Sequence, residues 1–121
     1  TLIKKVMDNK VLGNANVVKV VKGLNSNALY FSRSCVPFVR NFPNDAWLSN
    51  HEFYQHVGMY GYKKNVLLEI CKLEKGILET VESLEQLRWI ENGYAIKTAI
   101  TDIESVGIDT PDDLEEVLNR F

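Results

Sequence analysis

A histidine and a tyrosine four residues apart, His56 and Tyr60, flank Gly58 in the segment HVGMYGY. Read as a strand from Phe53 to Tyr62, the chain alternates its side chains, so Tyr54, His56, Gly58, Tyr60 and Tyr62 share one face. At about 3.3 Å per residue, His56 and Tyr60 stand roughly 13 Å apart, with Gly58 leaving a notch that admits a sugar-sized ligand. The same face also serves as an aromatic core, the commoner use of such residues. A glycine inside a strand, which often marks close approach by a ligand or backbone, weighs toward the notch. Downstream, Glu79, Glu82 and Glu85 recur at intervals of three. On a helix they form a row of like charges that costs stability unless something cationic or rich in hydroxyls faces it. Glu85 and Gln86 offer three carbonyl-type acceptors and one amide donor group to a polyol; a solvated acidic face is the bland alternative. Neither Ser/His/Asp nor Cys/His pairing is suggested, and nothing marks Cys35 or Cys71 as an activated nucleophile.

The elements that must position these residues follow from periodicity. Val17 to Val21 (VVKVV) and Ala28 to Ser32 (ALYFS) read as strands, and the five residues of GLNSN between them favour an antiparallel hairpin. Pro37 to Asn50 reads as a loop with one helical turn around Trp47. After Lys64 the period changes from two to nearly four. Val66, Leu67, Ile70 and Leu73 make one amphipathic face, and Leu78, Val81, Leu84 and Leu87 make another. Asn92-Gly93 closes the second helix, because glycine adopts the left-handed conformation of a C-terminal cap. Ala95 to Thr101 (AIKTAIT) alternates as a strand. Thr110-Pro111-Asp112-Asp113 opens a last helix, with Thr110 as cap, Pro111 at the first helical position and the acids at the positive end of the dipole.

The length of 121 residues suits one domain, 1–121, and a composition of 45% hydrophobic and 25% charged residues is that of a folded protein. No apolar run approaches a membrane span and TLIKKVMDNK lacks the features of a signal peptide, so a cytoplasmic location and no membrane partner are expected. Cys35 and Cys71 fit no metal or redox spacing and are expected to be free thiols. The net charge of −2 is uneven: residues 1–64 carry nine Lys or Arg against three acids, and residues 65–121 carry five against thirteen. Most of these charges are solvated faces. The basic half would also favour an anionic ligand such as a phosphate or sugar acid. The scattered basic residues and acidic pI argue against nucleic acid.

Four segments taken together, ALYFSRSCVPF, HVGMYGY, ESLEQLRWIENGY and GIDTPDDLEEV, resemble in order and spacing the C-terminal half of the CMP-Kdo synthetase family, the 3-deoxy-manno-octulosonate cytidylyltransferases. The resemblance runs from about Asn14 to Val117. It implies an α/β fold, the C-terminal portion of a nucleotide-diphospho-sugar-transferase-like (Rossmann-like) three-layer architecture with a mixed sheet and flanking helices. It also implies an activity that forms CMP-Kdo from CTP and 3-deoxy-D-manno-octulosonate, releasing pyrophosphate, in lipopolysaccharide biosynthesis. The family's nucleotide-binding half, with its Gly-rich loop, is missing, so this chain alone is expected to be inactive.

Residue by residue, the resemblance implies a sugar-acid site made by Arg33, His56, Tyr60, Glu85 and Gln86, with no catalytic residue in this half. Arg33 matches the Arg of Y-F-S-R, and an arginine binds a carboxylate through two parallel hydrogen bonds; a surface ion pair is its ordinary alternative. Asp109, in G-I-D-T-P-D-D-L, matches a magnesium ligand that works with a second Asp from the missing half, and one Asp alone binds magnesium poorly. Lys19 also matches, without a role. A homodimer contact is implied near Pro37 to Phe42. The family's N-P-N is Asn14-Ala15-Asn16 here and its P-S-x-L-E is Lys75-Gly76-Ile77-Leu78-Glu79, a change in the loop that enters the Glu85 helix. The rival expectation is a non-catalytic binding or assembly module that kept the fold without nucleotide chemistry.

Overall fold

The hairpin forms as the sequence predicts. In the computed structural model, which describes residues 1–103 with Glu115, Leu118 and Asn119, β2 (Lys19–Lys22) and β3 (Ala28–Ser32) pair antiparallel with Val20 opposite Phe31. Their turn closes through Gly23 N–H to the Asn27 carbonyl at 2.8 Å, with Ser26 in the left-handed region at φ 61°. β4 (Tyr54–Val57) pairs antiparallel with β2 and with β1 (Leu2–Lys5), and β5 (Ala99–Ile100) runs parallel to β1. The sheet is therefore mixed, in the order β3-β2-β4-β1-β5.

Strand β1 has no counterpart in the sequence reading. Only Ile3 of its four residues is fully buried, so LIKK shows no period, yet β1 is held from both sides by β4 and β5. After it, Asp8 accepts the Lys10 N–H at 2.8 Å and caps α1 (Asn9–Gly13). The loop before β4 carries a 3-10 turn (Asn44–Ala46) and α2 (Trp47–Asn50), as expected around Trp47. The expected strand from Ala95 to Thr101 is shorter. Its first part turns to the hairpin instead, where Ala28 N–H donates to the Ile96 carbonyl and Thr98 N–H and Oγ1 both donate to the Ser26 carbonyl at 2.8 Å.

Three helices lie between β4 and β5: α3 (Lys64–Ile70), α4 (Ile77–Glu82) and α5 (Gln86–Glu91). The single helix expected from Leu78 to Leu87 breaks at Ser83, which takes φ 55° and ψ 47° while its N–H reaches back to the Glu79 carbonyl. Left-handed geometry at a helix C-terminus is ordinarily glycine's place. The break turns the second segment so that Leu84 and Leu87 go into the core while Val81 is left exposed. Gly93, at φ 81°, closes α5 as predicted.

Register puts Ile3, Val20, Phe31, Tyr54 and His56 on one sheet face. The main core joins Ile3, Val20 and Phe31 to Ile70, Leu84, Leu87, Trp89 and Ile96, so the helices cover the sheet there. A second cluster packs Trp47 and Phe53 with Val6 and Leu12. The α/β class with a mixed sheet and flanking helices is thus as expected. The opening of the last helix expected at Thr110 lies outside the described residues; of that stretch Glu115 and Leu118 are described, and both are helical.

Ser83→Gly should raise stability by up to about 1 kcal/mol by relieving the left-handed residue, and Ser83→Val should lower it by more than that, read as shifts in the urea midpoint. A destabilised glycine variant would contradict this account of the helix break.

Candidate functional site

The spacing of His56 and Tyr60 differs from the sequence reading. β4 ends at Val57, and Met59 N–H folds back onto the Val57 carbonyl at 2.6 Å, a three-residue turn centred on Gly58. The turn returns Tyr60 to His56, ring centroids 5.2 Å apart, so the notch expected between them does not form. Gly58 serves the turn; a side chain there would meet nothing within 4 Å.

His56 sits edge-on to Phe31 at 5.2 Å with its Nε2 3.0 Å from Thr1 Oγ1. Burial, helped by the positive charge of the Thr1 amine, pushes its pKa down to about 4, so the ring is neutral near pH 7. Tyr60 packs against Trp89 at 5.2 Å and stacks on Tyr62 at 5.8 Å. Its hydroxyl is buried beside the Thr1 side chain but forms no well-aligned hydrogen bond with a described residue, and burial raises its pKa. A cavity of about 450 Å³ lies here, lined among others by Tyr60, Tyr62, Lys63, Trp89, Tyr94 and Lys97.

Arg33, just beyond β3, reaches the α4–α5 turn. Its Nε donates to the Glu82 carbonyl at 2.9 Å, Nη2 to the Ser83 carbonyl at 3.5 Å and Nη1 to the Ala15 carbonyl at 3.2 Å. All three acceptors are neutral, so this is no surface ion pair. A guanidinium has five N–H groups, which leaves two for an incoming anion. Glu85 opens α5 from that same turn with its side chain 66% exposed, and its charge is felt by Tyr60 and Tyr62. Gln86, next to it, is buried. Thus His56 and Tyr60 meet directly, Tyr60 meets α5 through Trp89, and Arg33 holds the turn from which α5 starts. Asp109 lies outside the described residues, and among those described no three His, Cys, Asp or Glu side chains cluster as a metal site.

The expected row of glutamates is dispersed by the break at Ser83. Glu79 is buried and takes Arg88 bidentately, Nε at 2.7 Å and Nη2 at 2.8 Å. This pair holds the Glu79 carboxyl below the usual carboxylate range. Arg88 touches Glu85 only at 3.5 Å, so it orients Glu79 first. Glu82 turns to β3, its Oε1 accepting from Ser32 Oγ at 2.7 Å and its Oε2 from Arg33 N–H at 3.0 Å. Lys19, fully buried, donates Nζ to the carbonyls of Asn14 at 2.8 Å and Val17 at 2.6 Å and so fixes the loop that offers the Ala15 carbonyl to Arg33. A lysine centred in VVKVV was the signal available for this. Both cysteines are free.

The sequence pattern of the cytidylyltransferase family matches residues 1–103. The chain is 51% identical over 118 residues to a 3-deoxy-manno-octulosonate cytidylyltransferase of Cytophaga hutchinsonii, covering 97% of this chain and 47% of that protein. It is 56% identical over 105 residues to one of Bacteroides thetaiotaomicron, covering 87% and 42%. The solved structure of a CMP:2-keto-3-deoxy-manno-octonic acid synthetase complexed with CTP superposes with a TM-score of 0.86 at 35% identity, over 99% of this chain and 47% of that one. The chain belongs to the cytidylyltransferase family. It spans about half the length of the relatives it matches. The expected placement in the C-terminal half is not supported by these matches, which give only the share of length covered. No helix among the described residues is long and apolar enough to cross a membrane.

Because His56 is held neutral, the unfolded chain binds a proton that the folded chain refuses between the ordinary value near 6.5 and about 4. Stability should therefore fall as pH is lowered through that window, and His56→Gln should flatten the dependence above pH 5. Melting temperature against pH checks this; a His56 imidazole that titrates near 6.5 by NMR would contradict it.

Proposed function

We propose that this chain is the sugar-acid-binding and dimerisation part of a cytidylyltransferase that forms CMP-Kdo from CTP and 3-deoxy-D-manno-octulosonate, releasing pyrophosphate, in lipopolysaccharide biosynthesis. The observation that carries the reading is a pair of groups left short of partners, Arg33 at the α4–α5 turn and Tyr60 against Trp89 of α5. Arg33 keeps two N–H groups beyond its three carbonyls, and the buried Tyr60 hydroxyl has no well-aligned partner among the described residues. A buried polar group short of a partner calls for an explanation, and a ligand hydroxyl supplies one. The identities of 51% and 56% to octulosonate cytidylyltransferases favour that sugar acid over others.

In this reading Arg33 takes the carboxylate, Glu85 and Gln86 accept from and donate to hydroxyls, and neutral His56 backs Tyr60 against the ring. The sugar's anomeric hydroxyl then attacks the α-phosphorus of CTP in line, and pyrophosphate leaves. The work of these residues is to hold that hydroxyl in place. The CTP contacts, and the magnesium that Asp109 would share, belong to residues outside those described.

Two outcomes are expected in the full-length protein carrying this chain. Arg33→Ala should raise the sugar KM and lower turnover while leaving the KM for CTP within about twofold. Tyr60→Phe should raise the sugar KM yet leave ligand-free stability within about 0.5 kcal/mol, since the hydroxyl it removes forms no well-aligned hydrogen bond. Equal loss of CTP and sugar affinity in both variants would overturn the site.

Assembly follows the same reading. Phe38 is 72% and Phe42 45% exposed in the loop between β3 and α2, and exposed aromatic patches mark interaction surfaces. A homodimer is expected by light scattering, with Phe38→Asp shifting it toward monomer; an unchanged mass for the variant would remove this loop from the interface.

A further inference from the structure

The geometry points to Glu82 as a positioning residue for the sugar-acid site, the group that sets the distance and angle between Arg33 on one side and Glu85 and Gln86 on the other. The inference rests on the site reading above but concerns a residue that reading gives no part.

Glu82 ends α4, and it is tied to Arg33 in both directions. Its carboxylate accepts from Arg33 N–H at 3.0 Å and from Ser32 Oγ at 2.7 Å, while its carbonyl accepts from Arg33 Nε at 2.9 Å. The Ser32 hydroxyl in turn accepts from Ser34 N–H at 3.0 Å, which fixes the chain on the far side of Arg33. One residue therefore grips the end of β3 with its side chain and the guanidinium with its backbone. From Glu82 the chain passes through left-handed Ser83, whose carbonyl also faces Arg33, and Glu85 opens α5 two residues later. Few rotatable bonds separate the two halves of the proposed site, and Glu82 bridges them.

The groups facing Glu82 agree. Burial alone would raise its carboxyl, but Ser32, the Arg33 backbone and Tyr30 hold it below the ordinary carboxylate range, with the Arg33 charge adding to this. It is thus a carboxylate at neutral pH, able to accept from both donors at once. A side chain with one acceptor oxygen in place of two satisfies only one of them.

The test uses the full-length protein and the variants Glu82→Gln, Glu82→Ala and Arg33→Ala. Glu82→Gln keeps the shape of the side chain and should fold, so it carries the test should Glu82→Ala fail to. Glu82→Gln should raise the sugar KM by about 10-fold or more, with the KM for CTP unchanged. In the parent the Arg33 Nε proton, bonded to the Glu82 carbonyl, should exchange slowly by NMR, and Glu82→Gln should speed that exchange. A Glu82 that is merely structural would lower the melting temperature and leave both the KM ratio and that proton as they are, overturning the inference. Should Arg33→Ala leave the sugar KM unchanged, the site reading fails. Should Arg33→Ala raise it while Glu82→Gln does not, the site stands and the positioning role alone is refuted.

Discussion

Arg33 and Glu82 hold each other by side chain and main chain alike, and the candidate site depends on that lock. Without it, α4 would meet the sheet through the Ser32–Glu82 hydrogen bond and apolar contact, and the latter has no direction. Hydrogen bonds from a guanidinium to carbonyls and from a backbone N–H to a carboxylate do have direction. A bond involving an ion contributes about 1.5–3 kcal/mol when its partners cannot turn to water instead. The strained Ser83 fits this arrangement. Its left-handed backbone costs about 1–2 kcal/mol relative to a helical one, and its carbonyl is one of those that face Arg33.

How much of this was legible in the sequence varies by element. The β2–β3 hairpin was, because VVKVV and ALYFS are dense in β-branched and aromatic residues and only five residues join them. So was the cap at Gly93, because glycine at a helix end has one common use. Strand β1 was not, because its burial comes from partners distant in sequence: Val57 and His56 on one side, Ala99 and Ile100 on the other. Nor was the break at Ser83. A spacing of three from Leu78 to Leu87 suits one helix, and only the docking of Glu82 on β3 decides that there are two.

The same limits explain the site. Side-chain chemistry singled out His56, Tyr60, Glu85 and Gln86, and the motif resemblance added Arg33; the structure sets Arg33, Glu85 and Gln86 at the α4–α5 turn and joins His56 to Tyr60, which meets α5 through Trp89. Their distances were not legible, since strand extrapolation gave His56 and Tyr60 a wide gap where the turn at Gly58 closes them to 5.2 Å. Glu79 and Glu82 looked alike in sequence as members of one acidic row. Tertiary partners separate them, one paired with Arg88 inside the helical layer and the other gripping the strand. Asp109, the residue on which the magnesium proposal depends, lies outside the described residues.

A second hollow on the molecule, about 600 Å³ and lined in part by Lys5, Lys22, His51 and Tyr54, offers the natural contrast for where an acidic sugar would bind. The most direct measurement is an NMR titration of the full-length protein, isotopically labelled, with the eight-carbon sugar acid in the absence of CTP. The account predicts saturable shifts of the Arg33 guanidinium, the Gln86 side-chain amide and the Tyr60 ring, with Lys22 and His51 unmoved. Shifts confined to Lys22, His51 and their neighbours, with Arg33 and Tyr60 silent, would contradict it.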